Sequence, residues 1–86
     1  MNQITLDQTH ELIVFRPQDV DEVLPAVLAL RKGKTVVLDL SFVDLTQSQR
    51  TADFVSGGVT ALDGREYRLG EHVFLFTPAN VFVNLS

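Results

Sequence analysis

The ionisable side chains of this sequence give little basis for catalysis. His10 and His72 are far apart in the chain. Neither is spaced three or four residues from an acidic residue within a predicted helix, so they indicate neither a metal site nor a general base. Asp39 lies within an apolar run, where a carboxylate must be paired or lie at an exposed strand end. We interpret it as a structural cap of the turn at residues 41–44.

Serine and glycine residues are equally uninformative about chemistry. No G-x-S-x-G pattern surrounds Ser41, Ser48 or Ser56, so no serine sits on a nucleophile elbow. Residues 56–58 read Ser-Gly-Gly, and neither phosphate-binding glycine pattern is present. The sequence therefore predicts a protein that is not an enzyme and has neither a cofactor nor a metal ion.

The stretch "SQRTADFVSGG", residues 48–58, raises a different possibility. At helical spacing a stripe of small residues can pack on a sheet, and it consists of Ser48, Thr51, Ala52 and Val55. Phe54 points away from this stripe, near Gln47 and Arg50. A single exposed aromatic residue is ordinary. Aromatic and arginine side chains are also enriched where partners bind, so a partner-binding surface stays open as an interpretation.

Composition limits the partners that this chain can have. Its 86 residues, of which 45% are apolar, predict one small folded domain whose stability dimerisation would supplement. The net charge of −4 argues against nucleic acid, which needs a basic face. The only basic cluster, Arg31, Lys32 and Lys34, follows a predicted helix, where cations offset the helix dipole. The absence of cysteine excludes disulfides and thiolate chemistry.

The same sequence carries no membrane signal. No apolar run approaches the roughly 18 residues that a membrane span needs. The first ten residues, "MNQITLDQTH", have neither the basic nor the apolar region of a signal peptide. We therefore expect a soluble chain.

The first half of the chain predicts a β-α-β unit. Residues 11–16, "ELIVFR", and 35–40, "TVVLDL", are apolar runs typical of buried strands. Between them apolar residues recur at helical spacing, at Val20, Val23, Leu24, Val27 and Leu28.

The limits of this first helix are marked by capping signals. Asp19 with Glu22 resembles a capping box, and Gly33 suits the position after the helix. Pro25 lies inside the pattern, where we expect a bend or an irregular first turn.

The second half predicts a helix followed by strands. Thr46 with Gln49 forms a second capping box, and Gly57 or Gly58 would end that helix. "VTAL", residues 59–62, would then be a strand joined through Asp63-Gly64 to a second strand, because this dipeptide favours hairpins.

Three further stretches complete the chain. "REYRL" alternates polar and apolar residues like a strand exposed on one face. "HVFLF" is typical of a buried strand, and "NVFVNL" is a last extended stretch that could cover an edge or cross to a partner. The predicted fold is an α/β two-layer sandwich in the order β-α-β-α-β-β-β, with a mixed sheet of about five strands and two helices on one face. Residues 1–10 are predicted to be a flexible segment and 11–86 the domain.

Three motifs together resemble the core domain of the SepF family of bacterial cell-division proteins. They are "VVLDL", "SQRTADFVSGGVTALDG" and "FLFTPANV", in the family's order and with its spacing, and "RPQDVDEV" fits its entry to the first helix. The resemblance runs from about Leu12 to Val83. Asp39 stands where the family usually has Asn, and Ser48 where it has Ala; both changes conserve size.

This resemblance implies a function without catalysis. SepF proteins form homodimers that assemble further, bind the C-terminal tail of FtsZ, and tether and bundle FtsZ filaments at the inner face of the cell membrane. Their membrane contact comes from an N-terminal amphipathic helix and a linker. This chain shows neither, so we expect an isolated core domain or a member without the anchor, in the cytoplasm at the division site.

The resemblance also implies which residues bind. The family's ligand surface and dimer contacts involve the second helix and adjoining strands, and the matching positions here are Gln49, Arg50, Asp53, Phe54 and Gly57. We expect Phe74 and Leu75 to belong to the core or to a sheet-mediated contact. Whether Phe54 meets FtsZ or the second subunit stays open at this point.

Two other functions are compatible with the sequence. One is a dimeric small-molecule-sensing module of the ferredoxin-like type, with a ligand near Asp39 and Gly57. The other is a hydrolase, which would need Asp39, Asp53 and His72 to cluster.

Overall fold

Six strands and two helices make up the fold within the described part of the chain. The computed structural model describes residues 4–6, 11–81 and 83–85. A single 3₁₀ turn, Val20–Glu22, precedes the first helix. The elements in chain order are β1 (Ile4–Leu6), β2 (Leu12–Phe15), α1 (Leu24–Arg31), β3 (Thr35–Asp39), α2 (Leu45–Ala61), β4 (Arg65–Arg68), β5 (Val73–Thr77) and β6 (Val83–Leu85).

Four of the strands form one mixed sheet in the order β2-β3-β5-β4. β2 is parallel to β3, as the predicted β-α-β unit requires. β5 lies antiparallel between β3 and β4. β1 and β6 pair with each other in a separate antiparallel ladder. The predicted α/β class is confirmed, with a main sheet of four strands rather than five.

Both helices pack on one face of this sheet. Side chains alternate along a strand, so Val36, Leu38 and Phe76 share that face, and all three are buried in the core. The helices meet each other where Gly58 of α2 lies against Val27 of α1. A Cβ built at Gly58 would lie 3.1 Å from Val27 Cγ1, so glycine allows this close approach.

The strand predicted at residues 59–62 is wrong, because α2 continues through both glycines to Ala61. Val59 is buried on the same stripe as Ala52 and Val55. This stripe keeps helical spacing beyond Gly58, and its burial outweighs the cost of about 1 kcal/mol for each glycine in a helix. The missing strand accounts for the lower strand count.

Asp63-Gly64 ends α2 instead of forming a hairpin. Asp63 has a φ of 58°, the left-handed conformation that often follows a helix. A Cβ at Gly64 would lie 2.5 Å from the Thr77 carbonyl oxygen, so only glycine fits where the chain enters β4.

The cap of α2 also differs from the prediction. Asp44, not Thr46, is the N-cap, and its Oδ1 accepts hydrogen bonds from the Thr46 N–H at 2.8 Å and the Thr46 hydroxyl at 2.6 Å. These bonds, the hydroxyl's first, hold the pKa of Asp44 below its ordinary value. Thr46 therefore supports the cap as a donor.

The first helix is shorter than predicted. Asp19 caps only the 3₁₀ turn, accepting from the Asp21 N–H at 2.9 Å, and α1 begins at Leu24. Pro25 thus lies in the first turn, where its missing N–H costs nothing. Two members of the predicted apolar face, Leu24 and Leu28, are exposed. Gly33, with a φ of 88°, follows the helix as predicted.

The chain termini contribute a further ladder. β1 lies within the segment predicted to be flexible, and residues 1–3 and 7–10 lie outside the described residues, so the domain boundaries stay a prediction. Within the part of the chain that is described, no helix has the length and apolar character needed to cross a membrane.

Candidate functional site

The side of α2 that faces away from the sheet carries all five predicted site residues. Thr51, Ala52, Val55 and Val59 form the buried stripe of this helix, and Ser48 is half-buried beside them. The packing expected of the stripe is therefore confirmed. Phe54 is 52% exposed, as its angle from the stripe predicts. Because one helix carries them all, the five residues form one arc, which we call the α2 surface: Gln49, Arg50, Asp53, Phe54 and Gly57.

One border of the α2 surface opens into a groove between α2 and β4, which we call the α2–β4 groove. It has a volume of about 320 Å³. Gln49 and Asp53 line it, whereas Arg50, Phe54 and Gly57 do not. The groove is lined by Leu45, Ser48, Gln49, Ala52, Asp53, Ser56, Glu66, Arg68, Glu71, His72 and Phe74.

The helix wall of the groove is organised by hydrogen bonds. Gln49 Nε2 donates to Asp53 Oδ1 at 2.9 Å, one helical turn away. One turn further on, the Ser56 hydroxyl donates to Glu66 Oε1 of β4. This second bond ties the helix to the strand and fixes the two walls relative to each other.

The strand wall carries a fixed arginine. Arg68 Nε donates to the Gly70 carbonyl at 3.0 Å, and its Nη2 donates to the Glu71 carbonyl at 2.7 Å. The guanidinium lies over the Phe74 ring, 5.5 Å from its centroid, in a cation–π contact. Its remaining N–H groups can still donate to a ligand.

The other border of the α2 surface is apolar. Phe54 lies one turn before Gly58, the residue that meets Val27, so it points toward the α1 side of the helix. Arg50 is exposed between the two borders. A Cβ built at Gly57 would meet no atom of the described residues within 4 Å. Gly57 therefore has no steric reason within one protomer to be glycine.

The residues of the two alternative functions do not come together within one protomer. Asp39 alternates with the buried Leu38 and thus lies on the sheet face away from the helices, whereas Gly57 is on the outer side of α2. His72 and Asp53 do border the same groove, but Asp39 faces the other side of the sheet. His10 lies outside the described residues.

Asp39 instead has a structural role, as we interpreted it from the sequence. Its Oδ1 accepts from the Ser41 N–H at 2.9 Å, and Arg16 Nε lies 3.6 Å from its Oδ2. The pKa of Asp39 is held below its ordinary value, first by hydrogen bonding to Ser41 and then by the charge of Arg16. Among the residues described, no three His, Asp or Glu side chains cluster as metal ligands would.

Several residues of the site were not expected from the sequence. Glu66 and Arg68 line the groove because alternate side chains of β4 face α2, and Ser56 lines it from α2 itself. The alternation in "REYRL" predicted the strand but not its neighbour. Leu45, the first residue of α2, lines the groove and is 78% exposed. A large apolar residue directly after a helix N-cap could have indicated this groove.

A family model described as "Cell division protein SepF" matches residues 12–83 of the chain. This range contains both walls of the groove and the whole of the α2 surface. It also agrees with the extent of the sequence resemblance.

Three relatives named "Cell division protein SepF" illustrate the similarity. The protein of Synechococcus sp. strain JA-2-3B'a(2-13) is 43% identical over 76 residues, which are 88% of this chain and 40% of the relative. That of Synechococcus elongatus is 45% identical over 78 residues, 91% of this chain and 41% of the relative. That of Nostoc sp. strain PCC 7120 is 49% identical over 74 residues, 86% and 37% respectively. The chain thus spans about two fifths of the length of these relatives.

The fold also resembles a solved structure. A SepF-like protein from Archaeoglobus fulgidus superposes with a TM-score of 0.64 at 23% sequence identity, covering 81% of this chain and 87% of that one. At this identity the similarity concerns the fold alone.

Proposed function

The chain belongs to the SepF family of cell division proteins, and we propose that it acts without catalysis, as a dimer that binds the C-terminal tail of FtsZ. In this role it tethers or cross-links FtsZ filaments during assembly of the Z-ring and septum, in the cytoplasm at the inner face of the membrane. The observation that carries the proposal is the family match over residues 12–83. Membrane contact would come through an anchor that is not part of residues 12–83.

We assign the tail to the α2–β4 groove. The groove is concave, and its walls offer both acceptors and donors for an extended peptide, at Asp53, Gln49 and Arg68. Hydrogen bonds already hold these side chains in place, so a peptide would bind without ordering them first.

We assign the Phe54 border to the second protomer. Phe54 is apolar and half-exposed, and it lies on the convex outer side of a helix. Such a surface is better covered by a second protein surface than by a short peptide. Arg50 and Gly57 lie beside it, and Gly57 leaves space for the partner's backbone to approach.

The two assignments together supply a mechanism for tethering. One groove holding a few peptide residues binds weakly. A dimer presents two grooves to a filament that carries many tails, and the second contact becomes intramolecular. Bundling therefore needs the dimer as well as the groove.

The experiment is light scattering and co-pelleting of assembled FtsZ with this protein, repeated with FtsZ that lacks its C-terminal tail. We expect bundling with the intact FtsZ only. In a calorimetric titration with the isolated tail peptide, Gln49→Ala should lower the affinity about three- to tenfold, because it removes a donor from the groove wall. Gln47→Ala is the matched control on the same helix, outside the groove lining.

Two results would contradict the proposal. Equal bundling of intact and truncated FtsZ would exclude the tail as the ligand. Equal loss of affinity in Gln47→Ala and Gln49→Ala would exclude the groove. A metabolite that raised the melting temperature, with no effect on FtsZ, would favour the small-molecule alternative.

A further inference from the structure

The edge of the sheet formed by β2 has unpaired backbone groups. Among the described strands β2 pairs only with β3. The Thr35 N–H donates to the Glu11 carbonyl at 3.1 Å, so the alternation of a parallel ladder directs the groups of Ile13 and Phe15 toward β3. The N–H and C=O groups of Leu12 and Val14 therefore point outward from the sheet.

β2 is short and is flanked by Glu11, Arg16 and Pro17, but the strand itself contains no charge, proline or bulge that would block pairing. Natural edge strands are commonly blocked by charged residues, proline or a bulge. β2 consists of four apolar residues, and Leu12 and Val14 are each 45% exposed. An unprotected apolar edge of this kind is a template for an added strand.

A cavity of about 270 Å³ lies beside the same edge, on the helix side of the sheet. Its lining is apolar except for two lysines, and consists of Ile13, Pro25, Leu28, Ala29, Lys32 and Lys34. Lys34 forms an ion pair with Glu11. The side chain of Lys32 makes no hydrogen bond or ion pair with any residue that the structure describes, so its ammonium group is available to a ligand.

We propose that the β2 edge and this cavity form a second docking site, for an extended acidic peptide of a partner protein. The peptide pairs its backbone with Leu12 and Val14, places an apolar side chain in the cavity, and brings a carboxylate to Lys32. Main-chain pairing supplies affinity in this mode of recognition, and the pocket supplies specificity. The site does not depend on the proposed function, because β2 and β4 are opposite edges of the sheet.

A second copy of this chain fits the edge less well. Its own β2 would offer apolar residues, but the adjoining carboxylate, Glu11, is already paired with Lys34. Two copies would thus leave both Lys32 side chains without a counter-charge. The charge of the cavity favours an acidic partner instead.

The test is a titration of the ¹⁵N-labelled protein with the peptide acetyl-TVTIEDE-amide, followed by amide chemical shifts. We expect shifts in β2 and at the end of α1, and weaker binding of the neutral peptide acetyl-TVTIQNQ-amide. Lys32→Glu should weaken binding of the acidic peptide about tenfold. Arg31→Glu is the control, because it makes the same change next to Lys32 outside the cavity lining.

A backbone variant tests the pairing itself. Val14→Pro removes an outward N–H that β3 does not use, a change that edge strands tolerate, and should abolish binding. Circular dichroism checks that Val14→Pro is folded. If this variant is unfolded, the comparison of Lys32→Glu with Arg31→Glu decides whether the proposal holds. The proposal is wrong if shifts appear only in the α2–β4 groove or if Lys32→Glu binds like the wild type. It is also wrong if the peptide does not bind by about 1 mM, or if sedimentation shows that this edge joins two copies of the chain.

Discussion

Gly57 and Gly58 are adjacent in α2 but have different surroundings. Among the residues that the structure describes, none would lie within 4 Å of a Cβ at Gly57, whereas a Cβ at Gly58 would press on Val27. Within one protomer only Gly58 has a packing reason to be glycine. If Gly57 serves binding, the close contact that requires a glycine there must be made by a partner.

This difference predicts different effects of the two matched Gly→Ala substitutions on stability. Gly57→Ala should raise the free energy of unfolding by about 0.5–1 kcal/mol, because alanine favours an exposed helix interior. Gly58→Ala should raise the free energy of unfolding by less or should lower it, because Val27 must move by a few tenths of an ångström. Urea denaturation of both variants, at a protein concentration low enough for the wild type to be a monomer, measures the two changes without the contribution of dimerisation.

A second measurement on the same variants tests the role of Gly57 in binding. If it admits a partner's backbone, Gly57→Ala should weaken dimerisation in sedimentation experiments although the domain is more stable. A loss of stability in Gly57→Ala would show that the glycine serves its own protomer and would remove it from the α2 surface.

From the sequence, the exposure of the α2-surface residues could be predicted better than the division of that surface into two borders. The angle of Phe54 from the stripe of Ala52 and Val55 is a property of any helix, and the structure confirms it. The division of the α2 surface into a groove border and an apolar border depends on which elements flank α2. No local pattern around Gln49 or Asp53 contains that information.

At the scale of the element, α2 depends on Asp44 for its first turn. Asp44→Ala should lower the melting temperature, because the Thr46 N–H loses its acceptor. Asp44→Ser keeps an oxygen at the N-cap and should retain most of the stability near neutral pH. Thermal unfolding followed by circular dichroism compares the two variants.

The same residue contributes to acid sensitivity. The folded protein holds the pKa of Asp44 below its ordinary value of 3.8, so near that pH the unfolded chain binds more protons. The stabilisation is complete above the ordinary pKa and is lost as the pH falls through the lower folded pKa. The difference in melting temperature between wild type and Asp44→Ser should therefore shrink between about pH 5 and about pH 3.

A constant difference over that range would contradict this role of Asp44. Some acid sensitivity should remain in Asp44→Ser, because the pKa of Asp39 is lowered as well. Adding Asp39→Asn to the Asp44→Ser variant should reduce this remaining acid sensitivity further.

Helix ends were the weakest part of the sequence prediction. Two adequate N-cap residues, Asp44 and Thr46, stand two positions apart, and only the tertiary position of α2 selects the first. At the other end, the glycine pair looked like a stop signal, but Val59 continues the buried stripe and its packing extends the helix. Local propensity is a weak guide where burial decides.

At the scale of the molecule, strand hydrophobicity predicts much of the sheet order. β3 and β5 are largely apolar and lie at the centre, and β4 alternates and lies at an edge. β2 breaks the rule, since its four apolar residues form the other edge. A central-strand composition at an edge suggests a surface that is covered in the working assembly, which is why we assign a ligand there.

The assembled molecule gives the last prediction, which concerns Phe54. At a protein concentration where the wild type is also a monomer, Phe54→Ala should leave the melting temperature nearly unchanged, because this side chain is half-exposed. At higher concentrations the variant should lack the stabilisation that dimerisation adds to the wild type. The variant should sediment as a monomer and should bind an isolated tail peptide like the wild type, because Phe54 does not line the groove. Its bundling of FtsZ filaments should fall about a hundredfold or more, since the avidity of two linked grooves is lost.

Two controls make this prediction specific. Phe42→Ala removes an equally large and exposed aromatic ring outside the α2 surface and should sediment and bundle like the wild type. Fusing a dimeric coiled coil to Phe54→Ala should restore bundling, because any link between two grooves recreates the avidity. If Phe54→Ala stays dimeric but loses peptide affinity, Phe54 contacts the tail and not the second protomer, and the division of the α2 surface proposed above is reversed.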